Sequence, residues 1–115
     1  MHFMLFMIPK DYQKASTAFK PDLGAMEEMT HFNESLKAAG VLKSVDGLTP
    51  PASGVRIAFG GGQPTSRHGP FADTTETVGG YWILELESQK DAIDWAMKCP
   101  ALPGDTIEVR QIAGD

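Results

Sequence analysis

Two segments with the three- and four-residue spacing of a helix, one opening at Asp22 and one at Ser88, are each bracketed by segments with the two-residue spacing of a strand. The order strand, helix, strands, strand, helix, strand restricts the chain to an α+β plan. This is a split βαβ unit with an added hairpin, in which an antiparallel sheet carries both helices on one face. A length of 115 residues fits one domain with one hydrophobic core, so residues 1–115 are read as a single domain.

Met4 to Ile8 is an unbroken apolar run, the pattern of a strand covered on both faces and central in its sheet. Lys10 to Pro21 reads as a polar connection. From Asp22, which can cap a helix, Leu23, Met26, Met29, Phe32 or Asn33, and Leu36 form one apolar face, and Gly40 ends it. Val41 to Val45 is read as a short strand, after which Asp46-Gly47 and Pro50-Pro51 break the chain. Val55, Ile57 and Phe59 resume the alternation, Gly60-Gly61-Gly62 supplies a turn, and Gln63 to Arg67 returns as a short edge strand. No Lys-Ser/Thr follows the three glycines and no helix starts there, which favours a plain hairpin turn over a phosphate loop.

Tyr81 to Glu87 alternates with Trp82, Leu84 and Leu86 on one face and Tyr81, Ile83, Glu85 and Glu87 on the other. Ser88 then caps a second helix with apolar positions at Ala92, Trp95, Ala96 and Cys99, stopped by Pro100. Thr106 to Ile112 is the last strand, with Ile107 and Val109 opposed to Glu108, Arg110 and Ile112. Tyr81, Ile83 and Ile112 thus fall on the sheet face that the helices leave open, which predicts a homodimer built through that face.

The composition, 42% apolar and 22% charged, is that of a folding chain. A net charge of −5 without a Lys/Arg run argues against nucleic acid as a partner. The apolar start is too short to span a bilayer, and the lone Cys99 cannot form an internal disulfide, so the expected setting is the cytoplasm, away from membranes.

The stretch His68-Gly69-Pro70-Phe71-Ala72-Asp73-Thr74-Thr75-Glu76-Thr77-Val78-Gly79-Gly80-Tyr81 resembles the signature of the YCII-related proteins of the DGPF-motif type. Typical members run Asp-Gly-Pro-Phe-Ala-Glu-Thr-Lys-Glu there and reach a Gly-Gly-aromatic strand start. Supporting similarity extends from Ala38-Ala39-Gly40-Val41-Leu42 to the closing Ile107-Glu108-Val109-Arg110 and covers nearly the whole chain. The resemblance implies a bacterial protein with a ferredoxin-like fold that assembles as a dimeric α+β barrel. It also implies an association with alternative sigma factors, beside which such proteins are often encoded. Here His68 replaces the signature's Asp, Asp73 its Glu and Thr75 its Lys.

His68 is the first candidate for acid/base work, because imidazole titrates near neutral pH, although a surface loop histidine fits the same position. His31 stands four residues from Glu27 on the first helix, the spacing of a base with its orienting carboxylate and equally of a solvated pair. Phe71 is either a plug that locks the signature loop or part of a ligand wall. Glu76, Tyr81, Glu108 and Arg110 are the candidate ligand-binding residues, with Glu108 and Arg110 also suited to pairing with a partner subunit. The three histidines never fall at the spacing of a shared ligand set, so neither a metal nor another cofactor is expected. Two functional classes follow. One is a dimeric module that binds a small molecule or a protein, accessory to sigma-factor-linked transcription control. The other is a small cleft enzyme using His68 or His31 as the proton-transfer group.

Overall fold

The computed structural model describes residues 1–71 and 73–114. Along the chain run β1 (His2–Ile8), α1 (Leu23–Ala38), β2 (Leu42–Gly47), β3 (Val55–Ala58), β4 (Thr65–His68), β5 (Gly80–Glu85), α2 (Gln89–Met97) and β6 (Thr106–Gln111). The main sheet has the order β2-β5-β1-β6 with every neighbouring pair antiparallel, so the apolar first strand is central. The fold is α+β.

Both helices cover one face of this sheet. Phe3 and Leu5 of β1 and Trp82 and Leu84 of β5 meet Phe32 and Leu36 of α1 and Ala92 of α2 in one cluster. The Phe32 ring stands edge-on to Trp82 at 5.9 Å and to Trp95 at 6.5 Å between centroids. Phe3, Leu5, Leu36 and Leu84 are fully buried, each worth about 1.5–3 kcal/mol of transfer free energy. The caps follow the local chemistry, since Asp22 accepts the Ala25 N–H at 3.0 Å and Ser88 Oγ accepts that of Asp91 at 3.1 Å.

Three expectations need adjustment. The connection from Lys10 to Pro21 is not uniformly polar. Tyr12 and Gln13 are buried in a short 3-10 turn, Tyr12–Lys14, and Tyr12 donates its hydroxyl to the Leu48 carbonyl at 2.6 Å with Phe19 edge-on to its ring. Leu23 is 81% exposed, because the packing of α1 on the core begins only at Met29. Asp46 and Gly47 continue β2, since Tyr81 and Gly80 pair with them, and the break falls after them.

The hairpin of β3 and β4 pairs only with itself and forms a second, two-stranded sheet. Val55, Ile57 and Phe59 on or next to it are 49%, 54% and 80% exposed. The radius of gyration is 15.8 Å, against about 13 Å for a compact chain of this length. The hairpin is therefore an arm beside the body rather than an extension of the main sheet.

Candidate functional site

Register assembles the open face of the main sheet in rows. Asp46, Tyr81, Phe6 and Glu108 stand side by side across the four strands, and Ser44, Ile83, Met4 and Arg110 form the next row. Met4, Phe6, Ile8, Tyr81 and Ile83 are all half-buried. The apolar side chains make the centre of the face, and polar groups tied to one another lie toward its edges. Tyr81 donates to Asp46 Oδ2 at 3.0 Å, Arg110 Nη1 meets Glu108 Oε2 at 3.4 Å, and Glu85 meets both His2 at 3.2 Å and Lys43 at 3.5 Å. Exposed pairs of this kind contribute little stability and can exchange partners at small cost.

A second arrangement surrounds the stretch from His68 to Tyr81. Phe71 is only 6% exposed, with the Arg56 guanidinium 4.1 Å and that of Arg67 5.2 Å from its ring centroid. Arg56 Nη2 also donates to Thr74 Oγ1 at 2.9 Å. The loop is held against the Pro51 turn, where the Gly69 N–H donates to the Gly54 carbonyl at 2.9 Å. A Cβ on Gly69 would lie 1.8 Å from the Pro51 carbonyl oxygen, so no side chain fits. A groove of about 300 Å³ runs beside this contact, lined by Arg56, Phe71, Thr74, Glu76, Pro51 and Val78 among others. Ala72 of the signature lies outside the described residues.

The expected residues fall into separate places. Tyr81, Glu108 and Arg110 share the open sheet face, whereas Phe71 and Glu76 share the loop groove. Gly80, where the loop joins the sheet, is two strands and three register positions from Arg110, about 10 Å in each direction. His68 pairs with Val55 at the end of β4 and is exposed, and strand alternation puts it on the hairpin face opposite Arg67. His31 is exposed on α1, and the carboxylate within 4.0 Å of its Nδ1 is Glu34 rather than Glu27. Among the described residues no group of three or more His, Cys, Asp or Glu side chains is gathered to hold a metal ion.

A model of the YCII-related domain matches residues 1–114. The chain belongs to the YCII-related family. An uncharacterized protein of Rhizobium meliloti (strain 1021) is 27% identical over 75 residues, which is 65% of this chain and 60% of that relative. The chain thus spans less than two thirds of the length of the curated relative it matches.

Two features of this YCII-related domain escaped the sequence reading. One is the Arg56–Arg67 pair, which becomes visible only if the hairpin is folded between Gly61 and Gly62, so that positions equidistant from that point face each other. The other is a cavity of about 330 Å³ on the helix side, walled by Met7, Tyr12, Phe19, Met26, Met29 and Leu102 among others. The apolar residues inside the polar-looking connection, Tyr12 and Phe19, were the available signal. Cys99 lies on the apolar side of α2's end, where burial, reinforced by the Asp105 carboxylate, pushes its thiol up to about 11. A thiol held protonated at neutral pH is a poor nucleophile.

Proposed function

We propose that this YCII-related protein is a homodimeric small-molecule-binding module, with two sheets packed through their open faces in a ferredoxin-like, dimeric α+β barrel arrangement. The observation that carries this reading is β1. Its alternate residues Phe3 and Leu5 are fully buried under the helices, while Met4, Phe6 and Ile8 on the other side form, with Tyr81 and Ile83, an apolar centre left only half-buried in the single chain. An unbroken apolar strand is the pattern of a sheet covered twice. The polar pairs Tyr81–Asp46 and Arg110–Glu108 toward its edges would then border the cleft between protomers and supply hydrogen-bonding groups for a ligand. A role beside a sigma factor, the association implied by the family resemblance, suits a module that senses a metabolite.

Sedimentation equilibrium of the purified protein at micromolar concentration is expected to give the mass of a dimer. A thermal-shift screen against a metabolite library is expected to return ligands that raise the melting temperature in proportion to the logarithm of their concentration. A monomer with no such ligand would remove the proposal. Acid/base catalysis gains less support, because His31 and His68 are both exposed, and the carboxylate beside His31 is itself a solvent-facing helix residue.

A further inference from the structure

Arg56 lines the groove beside the signature loop, and a second cation, Arg67, lies against the same Phe71 ring. Strand register places Arg56 directly opposite Arg67, and both guanidiniums converge on the Phe71 ring. Like charges at opposed strand positions repel each other. The chain has 15 Asp and Glu residues against 10 Lys and Arg. Even so, no carboxylate among the described residues forms an ion pair with Arg56 or Arg67. The ring offsets part of the repulsion through its negative face. A guanidinium lying over a ring also keeps the N–H groups along its rim available, and that fork matches a carboxylate. Thr74 Oγ1 accepts from Arg56, which leaves its own O–H to be donated to an incoming anion.

We propose that this groove binds a small carboxylate, held by Arg56 and the Thr74 hydroxyl and stabilised by the charge of Arg67. Glu76 lines the same groove without pairing to either arginine. It therefore selects a ligand whose far end carries a positive charge or a hydrogen-bond donor, and it disfavours dianions. About 300 Å³ is at the small end of ligand cavities, which limits the occupant to amino-acid size. The apolar wall of Leu48, Pro50, Pro51 and Val78 takes the carbon chain between the two ends. The groove is a second site, apart from the cleft of the reading above, and the assignment rests neither on that cleft nor on dimerisation.

The test is an NMR titration of the full chain with 4-aminobutyrate, butyrate, butylamine and inorganic phosphate, following backbone amides and arginine side-chain N–H signals. Saturable shifts at Arg56, Thr74 and Gly54 are expected with both carboxylates, more tightly with 4-aminobutyrate, and absent with butylamine. R56Q should weaken carboxylate binding about tenfold or more, R67Q by less, and E76Q should abolish the advantage of 4-aminobutyrate over butyrate. R67Q also serves if R56Q loses its dispersed spectrum. The proposal is overturned if neither carboxylate shifts the groove, if phosphate binds more tightly than both, or if affinity is unchanged in both arginine variants. Sedimentation and shifts on the open sheet face report separately on the wider reading.

Discussion

The indole N–H of Trp82 donates to Asn33 Oδ1 across 2.8 Å, joining the central part of the sheet to the middle of α1. Trp82 is 3% exposed, so no bulk water replaces that acceptor if it is removed. Asn33→Ala is therefore expected to destabilise the fold by about 1–3 kcal/mol, the cost of leaving a buried donor unsatisfied. Asn33→Asp keeps an acceptor and should lose less. Chemical denaturation of both variants checks the order, and equal stability of Asn33→Ala and wild type would assign the bond no role.

How far the sequence carried this fold depends on whether each signal is local. Both helix starts were legible, because Asp22 and Ser88 cap the chain within three residues of themselves. The faces of β5 were legible for the same reason, Trp82 and Leu84 alternating with Tyr81 and Ile83. The Arg56–Phe71 contact was not, since it joins residues on a hairpin and a loop whose meeting depends on the Pro51 turn. Tyr12 misled for a related reason. Its neighbours Lys10, Asp11 and Lys14 are polar, but its ring is buried and its hydroxyl reaches Leu48, 36 positions away. The Asn33 position was ambiguous beside Phe32, and only the indole partner explains why an amide sits there.

Gly69 fixes the signature loop by closeness rather than by unusual backbone angles. The Pro51 carbonyl occupies the space a side chain would need, and the Gly69 N–H is bonded to Gly54 at the same point. Backbone cannot yield as a flexible side chain does, so Gly69→Ala is expected to displace the loop from the Pro51 turn and free Phe71. The expected readouts are a melting temperature lower by several degrees and faster amide exchange at Gly69. Gly79→Ala makes a milder comparison, since its added carbon meets the Pro9 ring at 2.7 Å, a side chain next to a turn. If Gly69→Ala melts no lower than Gly79→Ala, the tight contact at Pro51 is not what holds the loop.

Cys99 predicts a pH dependence whose sign can be worked out. Its thiol is pushed up to about 11 by burial and the Asp105 charge, above the value of about 8.5 in an unfolded chain. At pH 8 the folded thiolate fraction is then about two orders of magnitude below that of a free cysteine, and alkylation by iodoacetamide should be slower by that factor. Below about pH 7 the thiol is protonated in both states and stability does not respond to it. As pH rises toward 11 the unfolded chain releases the proton first, so this group lowers stability over that window. Cys99→Ala should remove that part of the alkaline loss. A native-state alkylation rate near that of free cysteine would contradict the burial argument.

Ile83 decides whether the open sheet face is an interface. It stands between Ser44 and Met4 in a row that ends at Arg110, and the adjacent row places Tyr81 beside Phe6. In a single chain a carboxylate at position 83 would sit on a half-exposed surface and cost little. Between two packed sheets it would be buried without a partner and cost several kcal/mol, counted twice because the same position recurs across a twofold axis. Ile83→Asp is thus expected to yield a folded monomer with an unchanged circular dichroism spectrum, and Phe6→Glu should do the same from the neighbouring row. Leu102→Asp supplies the control, because Leu102 is 60% exposed and lines the helix-side cavity, away from that face. Sedimentation velocity distinguishes the cases. An Ile83→Asp protein that still sediments as a dimer, or a Leu102→Asp protein that does not, would place the interface elsewhere and leave the apolar centre of β1 without the cover proposed for it.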